Sequence, residues 1–204
     1  MRRARQSEGV PAESAKPTRA DDGTVTTSGI SGSTPRLAPA DAPSFDGLDG
    51  TLVVETPDDM RVLGAQLGTA AQPGDLIVLA GPLGAGKTVL VQGIAAGLGV
   101  PGQVTSPTFV LSRVHTGGRL PLVHVDAYRL GGVAEVDDLD LDADTDIALT
   151  VVEWGAGRVE QLASEHLRVD IDRPEGDEAG EARRVRLTST GNGWATRLGL
   201  PATA

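Results

Sequence analysis

The chain has 204 residues, no cysteine and a formal net charge of −10 at pH 7. That length fits one domain with an appendage, and the missing thiols exclude a disulfide framework and any thiolate metal site. No apolar run approaches the roughly 20 residues of a membrane span, and the basic start Met1-Arg2-Arg3-Ala4-Arg5 is followed by no apolar export segment, so a cytoplasmic protein is expected.

The charge is unevenly placed. Residues 1–46 carry six acidic and six basic side chains, which leaves 22 acids against 12 bases in residues 47–204. Such a surface repels polyanions, so stand-alone binding to nucleic acid or to an anionic membrane is not expected, and any nucleic-acid role would run through partner proteins. Residues 1–46 are rich in Ala, Ser, Thr, Pro and Gly, with Phe45 as their one aromatic residue. They cannot bury enough apolar surface to offset ordering entropy, and read as a disordered extension.

The folded domain is expected over residues 47–190. Thr51 to Glu55 read as a first strand. Thr56-Pro57-Asp58-Asp59 is a helix start, with a hydroxyl cap, proline in the first turn and acids beside it; Met60, Leu63 and Leu67 mark that helix's buried face. Leu76 to Ala80 form a short unbroken apolar run, the pattern of a strand covered on both faces.

Directly after it comes Gly81-Pro82-Leu83-Gly84-Ala85-Gly86-Lys87-Thr88, which fits G-x-x-x-x-G-K-[ST] at every fixed position. Leu90, Val91, Ile94 and Leu98 then recur at helical spacing until Gly99 and Pro101 stop the helix. Strand, glycine-rich loop and helix are the context in which this motif binds phosphate. Glycine lets successive N–H groups curl around a β-phosphate, and the helix N-terminus adds partial positive charge. Lys87 supplies a full mobile charge, and the Thr88 hydroxyl can ligate Mg²⁺. Lys16 and Lys87 are the only lysines in an otherwise arginine-based chain, so an ammonium kept at this position does something a guanidinium does not.

Val104 to Leu111 read as a polar knot followed by a strand, and Gly117-Gly118 as a hairpin turn into Leu120 to Val125. Pro121 makes that second strand start late or lie at an edge. It ends at Asp126, and a further apolar strand, Ile147 to Val152, ends at Glu153. An apolar strand closing on a carboxylate is the form of the acid that places Mg²⁺ or water in phosphate-loop enzymes, and ligands collect beyond such strand ends. The intervening Glu135, Asp137, Asp138, Asp140, Asp142, Asp144 and Asp146 read as a solvated acidic face. Their calcium-loop spacing from Asp142 fails because the position that needs glycine is Ile147. Arg158 to Leu162 read as a short helix, His166 to Ile171 and Arg184 to Thr188 as strands that extend the sheet antiparallel, and residues 191–204 as a tail with little signal. The fold class is therefore α/β, a phosphate-loop NTPase-like domain with a mostly parallel sheet, flanking helices and antiparallel additions at its C-terminal end.

Gly84-Ala85-Gly86-Lys87-Thr88, Ser106-Pro107-Thr108-Phe109, His124-Val125-Asp126-Ala127-Tyr128-Arg129 and Val152-Glu153-Trp154, in that order, resemble the TsaE family, formerly YjeE. These are small bacterial ATPases of the machinery that makes N6-threonylcarbamoyladenosine at position 37 of tRNAs reading ANN codons. The resemblance covers about residues 51–190. It implies a cytoplasmic protein that binds ATP or ADP with Mg²⁺, hydrolyses ATP slowly alone and faster with the TsaD and TsaB subunits, and meets tRNA only through them. It places the nucleotide on Gly81, Leu83, Gly84, Ala85, Gly86, Lys87, Thr88 and Val89, with Thr108 and Trp154 beside it. Thr88 and Glu153 are implied as metal ligands, Lys87 as the phosphate cation and Asp126 as the aspartate needed for hydrolysis. Two positions depart from the family pattern: Pro82 where aspartate is common, and Val89, which forfeits a second hydroxyl near the α-phosphate.

Three other readings fit the residues less well. A small-molecule kinase would use Asp126 as base and Arg129 or Arg158 as phosphate clamps, yet no arginine-rich lid segment is visible. A GTP-dependent switch needs an N-K-x-D element, and no lysine follows Lys87. A non-enzymatic module controlled by nucleotide occupancy would differ from a slow ATPase only in turnover.

Overall fold

A computed structural model describes residues 50–129, 146–173, 180–200 and 202–203. The expected N-terminal extension over 1–46 and the acidic stretch from Glu135 to Asp144 lie outside the described residues. All described residues belong to one unit, Ala38–Ala204.

The elements follow in the order β1 (Thr51–Val54), α1 (Pro57–Ala70), β2 (Leu76–Ala80), α2 (Lys87–Leu98), β3 (Ser112–His115), β4 (Leu122–Asp126), β5 (Leu149–Glu153), β6 (His166–Asp172), β7 (Arg183–Thr190), α3 (Asn192–Leu198) and β8 (Ala202–Thr203). The sheet order is β1-β7-β6-β2-β5-β4-β3, with β8 paired to β7. The strands β6, β2, β5 and β4 run parallel, β3 is antiparallel to β4, and β7 is antiparallel to β1 and β6 and parallel to β8. The antiparallel addition at the C-terminal end is thus β7; β6 itself joins the parallel set beside β2. Pro121 delays the strand to Leu122, but β4 is internal, between β3 and β5.

The central strands are buried on both faces, which explains their unbroken apolar sequence. Alternation sorts them: Ile77, Leu79, Leu122, Leu149 and Val151 join the larger core with α1 and α2, whereas Leu76, Val78, Val123, Val125 and Val152 form a second cluster. By the same period, His124, Asp126 and Glu153 fall on the α2 side.

Thr56 caps α1 through a reciprocal box: its hydroxyl accepts from the Asp59 N–H at 3.1 Å, and the Asp59 carboxylate accepts from the Thr56 N–H at 3.0 Å. The helix then lies against α2 along a seam where backbones touch. A Cβ on Gly64 would stand 2.3 Å from the Leu90 carbonyl oxygen, and one on Gly93 would stand 2.2 Å from that of Arg61. Backbone cannot yield as a side chain can, so Gly93→Leu is expected to lower unfolding free energy by about 3 kcal/mol in a urea titration.

Two segments depart from expectation for local reasons. Phe109 to Leu111 are not strand: the Pro107 carbonyl accepts from the N–H groups of Val110 and Leu111, both at 2.8 Å, and Leu111 takes a left-handed conformation at φ 65°. The strand therefore starts at Ser112, leaving Phe109 exposed. The helix expected over Arg158 to Leu162 shortens to a 3₁₀ turn, Glu160–Leu162.

Residues 191–204, read as a tail, contain α3, whose Trp194 is 1% exposed and belongs to the larger core. Arg197 ties this helix to the turn before β2, its Nη2 donating to both Asp75 carboxylate oxygens at 2.7 and 2.8 Å. Trp194→Ala is expected to cost about 3–5 kcal/mol in the same denaturation experiment.

Candidate functional site

The loop from Gly81 to Gly86 joins β2 to α2 with little room for side chains. Gly81 has φ 139°, and a Cβ there would stand 2.3 Å from the Ile171 carbonyl oxygen. Gly86 turns into the helix at φ 110°, and no side chain caps α2. The N–H groups of that first turn have no partner within the helix and suit an anion. Ala85 is buried beneath the loop, Leu83 projects from it 85% exposed, and Gly84 lies beside the Arg173 guanidinium, whose Nη1 is 4.0 Å from where a Cβ would be.

Lys87 is 5% exposed. Its ammonium donates to the carbonyls of Gly81 at 2.8 Å and Pro82 at 2.9 Å, and lies 3.7 Å from the centre of the Trp154 ring. Burial pushes its pKa below the ordinary lysine value, with the nearby Glu153 and Asp126 carboxylates pulling the other way. The ammonium is thus kept at the loop by dipoles and a π face, contacts weaker than those a phosphate would offer.

Trp154 reaches this position through an unusual backbone. It has φ 62°, uncommon for a non-glycine residue, and its N–H donates to the Leu79 carbonyl at 3.0 Å. The turn directly after β5 brings the indole over Lys87, with the Tyr128 ring 5.1 Å away.

The two strand-end acids are neighbours, since Asp126 pairs with Glu153 in the β4–β5 register. Their partners differ. Glu153 Oε1 accepts from the Thr88 hydroxyl at 2.9 Å and faces His124 Nε2 at 2.9 Å. Asp126 Oδ2 accepts from the Thr108 hydroxyl at 2.7 Å and the Ser106 hydroxyl at 3.3 Å, and Oδ1 accepts from the Tyr128 N–H at 3.0 Å. One acid therefore belongs to the helix that carries the phosphate loop, the other to the segment from Ser106 to Thr108.

The Thr88 hydroxyl and Glu153 carboxylate are hard oxygen donors brought together from residues 65 positions apart. Among the described residues no cluster of three or more His, Cys, Asp or Glu could cage a metal by itself. This donor set fits Mg²⁺, which takes one or two protein oxygens and fills its octahedron with phosphates and water.

A cavity of about 120 Å³ adjoins the loop, between Gly86, Val89, Thr56, Met60, Glu181 and Arg183. A larger one, about 250 Å³, lies between α2 and residues 100–104, but no charged side chain lines it.

The family model described as threonylcarbamoyl adenosine biosynthesis protein TsaE matches residues 54–185. The chain belongs to the TsaE family. It is 55% identical over 140 residues to the tRNA threonylcarbamoyladenosine biosynthesis protein TsaE of Streptomyces coelicolor, spanning 67% of this chain and 95% of that one. The protein of the same name from Bacillus subtilis is 38% identical over 137 residues, covering 67% and 83%. The crystal structure of Bacillus subtilis YdiB superposes with a TM-score of 0.59 at 30% identity, over 72% of this chain and 89% of that one.

Of the residues that the family resemblance named, the structure brings Gly81, Lys87, Thr88, Thr108, Asp126, Glu153 and Trp154 into one connected group, Gly84, Ala85, Gly86 and Val89 line the neighbouring cavity, and Leu83 points outward. The two arginines considered as kinase clamps are engaged elsewhere: Arg129 lies 5.2 Å from the Phe109 ring centre, and Arg158 donates to the Ala127 carbonyl at 2.6 Å. The family resemblance implies that Thr105 to Thr108, and so Ser106, form a switch-like segment near the γ-phosphate, whereas His124 was given no role of its own by the sequence. The signal for His124 was present in its spacing, two residues before Asp126 on a strand, which puts both side chains on one face.

Proposed function

We propose that this chain is a Mg²⁺-dependent ATPase that acts with TsaB and TsaD homologues in the threonylcarbamoyladenosine modification of tRNA, its turnover resetting the complex between cycles. The observation that carries this reading is the convergence of Lys87, Thr88, Glu153, Asp126 and Thr108 at the phosphate loop. In this role the loop N–H groups and Lys87 hold the β- and γ-phosphates, and Thr88 with Glu153 holds the metal. Mg²⁺ bound there supplies charge neutralisation on those phosphates. Asp126 orients the attacking water and takes up its proton. The water oxygen bonds to the γ-phosphorus as the bond from that phosphorus to the β–γ bridging oxygen breaks, the bridging oxygen staying with ADP, and ADP and phosphate leave.

Hydroxyls of Thr108 and Ser106 already engage Asp126, so movement of that segment changes the acid that hydrolysis needs. This supports coupling to a partner, as do the exposed apolar side chains Leu83, Phe109, Val110 and Tyr128 on the loops around the site. No helix among the described residues is long and apolar enough to cross a membrane.

Steady-state phosphate release from ATP and from GTP, with the protein alone and then with TsaB and TsaD of the same organism, tests the reading. A slow ATP-selective rate that rises with the partners is the expected result. A rate that the partners leave unchanged removes the coupled-ATPase assignment.

A further inference from the structure

We infer that His124 is a positioning residue for the metal-binding carboxylate of Glu153; this rests on the Mg²⁺–nucleotide reading above. The imidazole is fully buried on β4 and is paired across the sheet with Val151. Its Nε2 is 2.9 Å from Glu153 Oε1, and because a carboxylate oxygen only accepts, the hydrogen is on Nε2. Its Nδ1 has no hydrogen-bond partner among the described residues.

A buried polar atom left unpaired costs about 1–3 kcal/mol, so packing alone favours an aliphatic side chain here. What the imidazole adds is one N–H, aimed at one oxygen. Glu153 Oε1 receives two donors, Thr88 and His124, both at 2.9 Å, whereas Oε2 has only the longer Thr88 contact at 3.3 Å. The carboxylate is thereby fixed in rotation with Oε2 less engaged. Thr88 is itself a proposed ligand, so His124 is the donor whose whole role is the carboxylate. Such outer partners orient a ligand and are worth about 10- to 100-fold in metal affinity.

The test is a calorimetric titration of ADP into the full chain at graded Mg²⁺ and in EDTA, for the parent, His124→Leu and His124→Gln. Leucine removes the donor, and glutamine keeps an N–H of similar reach. The expected result is a rise of about tenfold in the Mg²⁺ concentration giving half-maximal tightening for His124→Leu, with metal-free ADP affinity within about twofold and most of the loss recovered by His124→Gln. A parental Mg²⁺ midpoint in His124→Leu overturns the inference, as does an equal loss in EDTA or a glutamine variant no better than leucine. A parent without any Mg²⁺ effect overturns the metal reading and the inference together.

A second measurement needs no variant. The chain has three histidines, so ¹⁵N spectra of its imidazoles are readily assigned. A protected His124 Nε2–H signal that shifts when Mg²⁺ is added to the ADP complex is expected; a signal that stays fixed overturns the inference.

Discussion

Lys87→Ala is expected to weaken ATP and ADP binding by about 100- to 1,000-fold and to abolish measurable turnover, while the melting temperature of the nucleotide-free protein holds or rises. The two halves of this expectation share one cause. In the free protein the ammonium is buried against the Gly81 and Pro82 carbonyls and the Trp154 ring, and burial depresses its pKa. A depressed lysine pKa means that the fold disfavours the charged form, so removing the charge relieves the empty state. In the proposed nucleotide complex the same ammonium would meet phosphate oxygens with little water to screen it. Truncating one partner of such a buried charge pair costs about 2–5 kcal/mol, and each 1.4 kcal/mol is a factor of ten. Lys87→Arg is expected to recover little, because a planar fork does not fit a pocket formed around a compact ammonium. Calorimetric titration with a thermal melt separates the effects. Unchanged ADP affinity in Lys87→Ala would remove the phosphate-loop assignment altogether.

What could be read from the sequence and what could not divide along the range of the interactions. The loop from Gly81 to Thr88 was legible because one segment contains the entire device: apolar run, glycines, lysine, hydroxyl, helix. Asp126 and Glu153 were legible because an apolar strand closing on a carboxylate is also a local pattern. That the two acids have different partners was not legible, since Thr88 lies 65 positions from Glu153 and Thr108 lies 18 from Asp126. His124 stood within a recognised motif but gained a role only through a residue 29 positions away. The same holds for the fold. An alternating strand such as β6 states that it is half-exposed, not which way its neighbour runs; its parallel pairing with β2 is a tertiary outcome. Phe109-Val110-Leu111 have strand composition, and a turn held by the Pro107 carbonyl overrides it. In residues 191–204 Trp194, Leu198 and Leu200 stand among small and polar residues in too short a run to show a clear period, although all three pack in or against the core.

The separate partners of the two acids lead to separable phenotypes. Asp126→Asn is expected to lower ATP turnover by about 100- to 1,000-fold, the usual scale for losing a positioned proton acceptor, while ADP affinity stays within about threefold. Asparagine is nearly isosteric. Its carbonyl oxygen can still accept from the Tyr128 N–H, and the Thr108 hydroxyl can turn from donor to acceptor toward the amide, so the segment from Ser106 to Thr108 keeps its anchor. Only the negative charge and its capacity to hold a water are lost. Glu153→Ala should behave differently: it removes the proposed metal-binding carboxylate and the partner of Thr88, so the Mg²⁺ requirement is expected to rise while metal-free nucleotide affinity changes little. Phosphate release under saturating Mg²⁺, paired with a Mg²⁺ titration of ADP binding, reads both. If Asp126→Asn turned over like the parent, the water-positioning role would pass from this acid. If Asp126→Asn instead shifted the Mg²⁺ midpoint while Glu153→Ala did not, the two carboxylates would have to exchange roles, and the hydroxyls of Ser106 and Thr108 rather than that of Thr88 would mark the metal's side of the site.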